Sequence, residues 1–479
     1  MTRVDMQPHQ MGIAALGRAY ADKVVSPVEV TRDALDRIER FPQLNAFYLV
    51  DAEGALAQAR ASEQRWQAGR ALGPMDGIPT SAKDALLSIG WPSYRGSLAH
   101  YAEAGNWTTD APAIARLREG GAVFLGKTTM PDFGILASGY SSKHGITRNP
   151  WRLDLNPGGS SSGASVAVAA GLNTAAIGTD IVGSVRLPAS FCGLFGLKPS
   201  QGRVPYYPPN DPALAAGPLT RSVEDAAILM EIVSAVDSRD FTALEFAKID
   251  YRSSAIPPRR GLRIGFVESL GFGLSPDPEV VKLVSAATAQ LAGLGCTIVP
   301  TEISFSSDEF LQAELYYKTR CFAEFMKQPE QRREAATVIR DWTASAMGAT
   351  ARELFDSMNA MRRMREKMLA LFEDVDFLVL PTVHIPSFVA ELPAPDPSML
   401  FEPWANTFLF NITEQPASSV PCGLTAGGSP VGLQIVGRRF DDLGVLQLSS
   451  ALERLTGPQP RRQHFAGIRR IAPRTIVRV

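Results

Sequence analysis

The stretch Pro157-Gly158-Gly159-Ser160-Ser161-Ser162-Gly163, followed by Ala175-Ala176-Ile177-Gly178-Thr179-Asp180-Ile181-Val182-Gly183-Ser184-Val185-Arg186, decides how this chain is read. A glycine/serine loop enters a small-residue helix, expected over 165–170. A strand, expected over 175–178, then delivers a second serine loop. Loop, helix, strand and loop in that order point to α/β structure. The alternation extends outward. Residues 122–126 read as a buried strand behind a helix over 111–119. Residues 263–267 and 297–299 read as strands around a helix over 278–294, and 376–381 and 432–436 as two more strands. The expected fold class is α/β: a single large domain over 1–479, with a central mixed β-sheet sandwiched between helices.

The ends of the chain read differently. Ser26-Pro27-Val28-Glu29 is a helix start with a cap, a proline at the first position and a capping-box glutamate. A strand over 47–50 and a helix over 52–66, capped by Asp51, complete an N-terminal helical arm over 1–70. Residues 300–372 are mostly helical by periodicity. They separate two strand-rich blocks and read either as a cap over the site or as plain packing helices. The segment after Glu453 holds seven arginines and no acid. It lacks interleaved aromatics for base stacking, so a solvated or self-docked tail is favoured over an RNA contact.

Composition narrows the function classes. Hydrophobic residues make up 45% and charged residues 20%, which argues against global disorder. Lys plus Arg (48) balance Asp plus Glu (49), so no overall field draws nucleic acid or anionic membrane. The first ten residues contain no apolar signal region, and no apolar run reaches membrane-spanning length. The four cysteines are far apart and form no CxxC pair, which suits buried thiols in a reducing compartment. The expectation is a cytoplasmic protein with no membrane or nucleic-acid partner, no metal and no cofactor. A homodimer is left open.

The serine loops carry the chemistry. Successive N–H groups in a turn suit a transient oxyanion, which fits Ile181, Val182, Gly183 and Ser184. A hydroxyl nucleophile needs a base, and a lysine can serve without any histidine. Gly77-Ile78-Pro79-Thr80-Ser81-Ala82-Lys83-Asp84 offers Lys83. Two nucleotide readings fail: Ala164 stands where a P-loop needs lysine, and Ser160 where a dinucleotide fingerprint needs its middle glycine. Gly159-Ser160-Ser161-Ser162-Gly163 does satisfy G-x-S-x-G, the nucleophile elbow of α/β-hydrolases. Ser161 would then need Asp376 with His384, or Asp441 with His464, and neither pair sits in a distinctive context.

The order Lys83, Ser160, Ser184 resembles the amidase signature family of Ser-cisSer-Lys amide hydrolases. The match runs through both serine loops, with the two serines 24 positions apart, and through Phe191-Cys192-Gly193-Leu194-Phe195-Gly196-Leu197-Lys198-Pro199. It continues in Asn149-Pro150-Trp151, in 217–226, in 416–421 and in 430–437. The resemblance implies the amidase signature fold, Ser184 as nucleophile, Ser160 as the cis-serine, and Lys83 as base. It implies loop support by Ser161, Ser162, Asp180 and Arg186, and a substrate wall that includes Gly134 and Ile135. The implied reaction is hydrolysis of an amide C–N bond in a small or medium-sized substrate, with esterase or carbamate-cleaving side activity. Val182 departs from the family's usual glycine, and because a β-branched residue resists positive φ, the turn must place that conformation elsewhere. Glu414 also stands at a family glycine. The family includes the glutaminase component of tRNA-dependent amidotransferases, which shows a Gly-x-Glu-x-Lys-Arg-Arg-Ile-like segment. The comparable helix here, 360–368, does not match, so a free hydrolase is favoured. Selectivity would sit in 300–410, whose Tyr316, Tyr317, Phe322, Phe325, Met347, Phe401, Trp404 and Phe408 are mostly assigned to the core.

Overall fold

A computed structural model describes residues 6–101, 107–208, 213–245, 247–303 and 305–457, and the backbone of 477–478. Strands are Phe47–Val50 (β1), Pro79–Lys83 (β2), Val123–Thr128 (β3), Tyr140–Ser141 (β4), Gly145–Ile146 (β5), Ala175–Asp180 (β6) and Phe195–Lys198 (β7). They continue with Ala215–Thr220 (β8), Arg263–Phe266 (β9), Thr297–Pro300 (β10), Phe377–Pro381 (β11), Ala417–Leu424 (β12), Pro430–Val436 (β13) and Val477–Arg478 (β14). All but the β4–β5 hairpin form one sheet, ordered β10-β9-β11-β13-β12-β7-β8-β6-β2-β3-β1-β14. The sheet is mixed, as expected. β2 runs parallel to β3 and β6, whereas β8, β7, β12 and β13 are joined by antiparallel pairings.

Side chains alternate across a strand, so each strand feeds two cores. On one face, Ala82, Phe124, Ile177, Val379 and Ile435 join a single large core. The other face is divided. Val123, Leu125 and Ala176 pack with the helices Pro27–Arg40, Ala52–Gln67 and Ser162–Ala169. Leu378, Leu380 and Val436 pack with the helices Ser307–Met326 and Ala351–Asp374. Val182 and Leu187, flanking the second serine loop, belong to this last core, while Ala164 and Val166, behind the first loop, belong to the other. The serine loops therefore lie where the two cores of the divided face meet.

Local readings hold closely at the N-terminus. Ser26 and Glu29 form the capping box, and Asp51 caps its helix through the Gly54 N–H. The arm does more than pack on the sheet, because its β1 pairs with β3 inside it. At the far end, β14 pairs with β1, while the arginines at 461, 462, 469, 470 and 474 lie outside the described residues. The helix after the first loop begins at Ser162, earlier than expected. Of the aromatic candidates, Tyr317, Phe325, Phe401, Trp404 and Phe408 are buried, whereas Met347, grouped with them, is exposed. No described helix is long and apolar enough to cross a membrane.

Candidate active site

Lys83 ends β2, and its position is fixed by the pleat. Ile78 and Ala82 enter the large core, so Lys83 points to the divided face. There it is wholly buried, with no carboxylate in ion-pair range among the described residues. Its Nζ lies 2.9 Å from Ser160 Oγ, 3.0 Å from Ser161 Oγ and 2.8 Å from Thr179 Oγ1. Burial lowers its pKa from 10.5 to about 7; Asp180 pulls upward and Arg95 downward. The Gly159–Ser160 peptide is cis. Ser161 N–H donates to the Ser184 carbonyl at 3.2 Å, tying the two serine loops together. The link from the Ser160 hydroxyl to that of Ser184 is not closed by a hydrogen bond among the described residues.

The turn after β6 is built around Asp180. Its carboxylate accepts N–H donations from Gly183 (2.7 Å), Val185 (3.1 Å) and Arg186 (3.4 Å). Arg186 reaches back with Nε at 3.0 Å and Nη2 at 2.8 Å, a two-point grip on the same carboxylate. Burial alone would raise the Asp180 pKa, but the Arg186 charge and hydrogen bonds, with Asn411, bring it to about 2. Arg186 also donates to the Thr407 carbonyl and Gln434 Oε1, and Asn411 Nδ2 donates to Asp180. Thr407 Oγ1 donates to the Val182 carbonyl.

The four residues expected to supply the oxyanion turn divide in two. Gly183 commits its N–H to Asp180, whereas Ile181, Val182 and Ser184 have N–H groups with no acceptor among the described residues. Val182 avoids positive φ, and Gly183 takes it instead, at 135°. A Cβ on Gly183 would also collide with Thr407 Oγ1. Glu414, by contrast, does adopt φ 62°, where glycine is favoured.

Gly134 borders the relay, since a Cβ there would lie 3.2 Å from Ser160 Oγ. Ile135 is buried in the core beside it. Ser162 donates to the Thr129 carbonyl at 3.4 Å. The elbow reading finds no support. The Ser161 hydroxyl is held by Lys83 and the Thr179 backbone. Asp376 pairs with Arg259, Asp441 caps the helix Asp442–Thr456, and His464 lies outside the described residues. The sequence did not point to Thr179, Thr407, Asn411 or Gln434. Gln434 stands inside a matched motif, but an uncharged amide gives no local signal of its partner.

Comparison with known proteins places this geometry. The family model described as Amidase matches residues 29–446. The A-type component of glutamyl-tRNA(Gln) amidotransferase from Burkholderia pseudomallei is 34% identical, over 94% of this chain and 98% of its own. Among solved structures, a bacterial aryl acylamidase of the amidase signature family superposes with a TM-score of 0.83 at 28% identity, covering 94% of this chain and 96% of its own. The peptide amidase of Stenotrophomonas maltophilia gives 0.79 at 28% identity, covering 95% and 99%.

Proposed function

The chain belongs to the amidase family of amide-hydrolysing enzymes, and from that premise we propose that Ser184 forms an acyl-enzyme with Lys83 as base through Ser160. Support comes above all from Lys83, a buried amine without a carboxylate in ion-pair range among the described residues, 2.9 Å from Ser160 Oγ and uncharged above about pH 7. Neutral Lys83 takes the Ser160 proton as Ser160 takes that of Ser184. Ser184 Oγ bonds to the substrate carbonyl carbon, and the oxygen becomes an oxyanion. The N–H groups of Ile181, Val182 and Ser184 receive it, while Gly183 fixes the turn through Asp180. Collapse breaks the C–N bond, and the proton returns through Ser160 to the departing amine. Water then releases the acyl group by the same relay. Ser161, Ser162 and Arg186 hold the loops, and Gly134 and Ile135 form part of the substrate wall. The helices Ser307–Met326 and Ala351–Asp374 act as a cap over it. The substrate is a small or medium-sized amide, and esters and carbamates are slower side substrates.

Fluorophosphonate treatment followed by peptide mass spectrometry tests the assignment. The adduct is expected on Ser184, and turnover is expected to vanish in Ser184→Ala. An adduct on Ser161, or activity surviving that substitution, refutes it. The 34% identity to an amidotransferase component favours a second reading, as one member of such a complex. Glutamine hydrolysis that appears only with a co-purified partner would select that reading; aryl amide hydrolysis by the isolated chain selects the first.

A further inference from the structure

Beside the relay lies a cluster of charge that the acyl-transfer chemistry does not use. Asp84 directly follows Lys83, and its two carboxylate oxygens accept from Tyr94 N–H (2.8 Å) and Gly96 N–H (2.7 Å). Tyr48 and His144 complete its partners. The residue between those two amides is Arg95, held at φ 50°. A non-glycine residue keeps such a backbone only where its surroundings over-determine it. The Arg95 carbonyl accepts from Phe133 N–H at 2.7 Å, and its Nη2 donates to the Phe133 carbonyl at 3.3 Å. The next residue, Gly134, is the one whose Cα faces Ser160 Oγ. Arg95 is therefore built rigidly onto the wall of the reacting centre.

Its counter-charge is shared. Arg95 Nη2 lies 2.7 Å from Glu324 Oε1 on the cap helix Ser307–Met326, and Arg320 Nη1 lies 3.5 Å from the other oxygen. Two guanidiniums thus meet at one carboxylate. Arg332 adds a third cation nearby, stacked on Tyr101 and donating to the His100 carbonyl. Arg95 Nε and His100 Nδ1 are buried nitrogens without a hydrogen-bond partner among the described residues. His100 stands edge-on to Phe133, with ring centroids 6.1 Å apart. The side chains of Arg95, Arg320 and Glu324 are partly exposed, at 24%, 13% and 16%, so a solute can compete for the shared carboxylate's place, and a planar guanidinium recognises a carboxylate with particular fidelity.

We propose that Arg95, with Arg320 beside it, forms an anion subsite that selects amides bearing a carboxylate, with Glu324 holding the place that the substrate carboxylate takes over. The proposal rests on the Ser184 hydrolase reading and names its substrate class. The test compares N-succinyl-4-nitroanilide with N-butyryl-4-nitroanilide, and N-acetyl-4-aminobenzoate with acetanilide, so that the charge lies on the acyl or the amine side. The wild type is expected to favour the carboxylated member of at least one pair by about 10- to 100-fold in kcat/KM, mainly through KM. Arg95→Gln is expected to erase that ratio, and Arg95→Lys to restore part of it. Glu324→Gln removes the internal competitor and is expected to strengthen the preference. This last outcome separates a subsite from a structural clip, because breaking a clip from either end impairs both members of a pair alike. Equal ratios in wild type and Arg95→Gln, or parallel losses in both variants, overturn the subsite and leave the Ser184 chemistry standing. No turnover of any of the four amides, with Ser184 unlabelled by a fluorophosphonate, overturns the hydrolase reading and the subsite with it.

Discussion

Lys83 combines two properties that pull against each other. As a base it must be neutral, and burial makes it so, with a pKa of about 7. Acylation therefore needs the deprotonated amine, and kcat/KM is expected to rise tenfold per pH unit below about 7 and level off above it. A profile that falls through this range would refute Lys83 as the base. Lys83→Arg should be inactive at every pH, since a guanidinium does not deprotonate in a protein. The same burial is a stability cost. Near neutral pH the unfolded chain holds this lysine charged, and folding must remove the proton. Lys83→Met deletes that requirement, worth about 4 kcal/mol at pH 7 by proton linkage, against the loss of the hydrogen bonds to Ser160, Ser161 and Thr179. The stability of Lys83→Met relative to wild type is expected to be greatest at and below pH 7 and to shrink toward pH 10.5. Paired thermal melts between those limits measure it, and a constant difference would contradict it.

At the scale of elements, the turn after β6 depends on residues drawn from three distant parts of the chain. Asp180 and Arg186 are local, but Thr407, Asn411 and Gln434 arrive from the segments preceding β12 and within β13. Arg186→Met leaves Asp180 buried without its charge partner and is expected to destabilise the fold by about 3–5 kcal/mol, measured by urea unfolding. Asp180→Asn combined with Arg186→Met should recover part of that loss, because neither charge is then stranded. A double variant worse than the sum of the singles would show that the ion pair is not the organising feature. This dispersal also explains what could be read in advance. β1, β6, β11 and the capped helices announce themselves by apolar runs or cap residues. β2 does not: Pro79-Thr80-Ser81-Ala82-Lys83 looks polar, yet all five residues are buried. Its polar side chains are satisfied sideways, Thr80 by the Ala175 carbonyl and Ser81 by Asn173. β8 hides in the same way behind Gly217 and Pro218. Lys83 and the two serines were legible through motif order, whereas the amides that brace their loops carry no periodicity or charge by which to find them.

At the scale of the whole molecule, three lysines are buried among the described residues, and together they set an unusual pH dependence of stability. Lys83 and Lys198 titrate at about 7 and Lys127 at about 8, each lowered chiefly by burial. In the unfolded chain all three hold their protons to about pH 10.5. Between pH 7 and 9 the unfolded state therefore binds more protons, and stability rises with pH, by up to about 1.4 kcal/mol per unit for each lysine. Below that window two buried groups oppose each other. Glu453, raised to about 7 by burial, keeps its proton in the fold after the unfolded chain has lost it and lowers stability from about pH 4.5 to 7, whereas His384, lowered to about 4 by burial, raises stability from about pH 4 to 6.5. Further down, Asp84 and Asp180, both near 2, contribute stability above the ordinary carboxylate range and lose it as pH falls toward 2. Above pH 9, Cys192, pushed up to about 12, and the buried Tyr20 and Tyr48, also raised, stay protonated while their unfolded counterparts ionise, which opposes the lysine gain and prevails once that gain ends at about pH 10.5. Stability therefore rises from pH 7 through pH 9 and crests at about pH 10, where the unfolded lysines lose their protons and the unfolded tyrosines ionise. Differential scanning calorimetry should give a higher Tm at pH 9 than at pH 7 and a smaller rise in Lys198→Met, whose amine donates to the Pro199 carbonyl. A Tm that falls from pH 7 to 9 would mean that these amines are charged in the fold. Lys83 would then be no base at neutral pH, and the acyl-transfer relay would lose its first step.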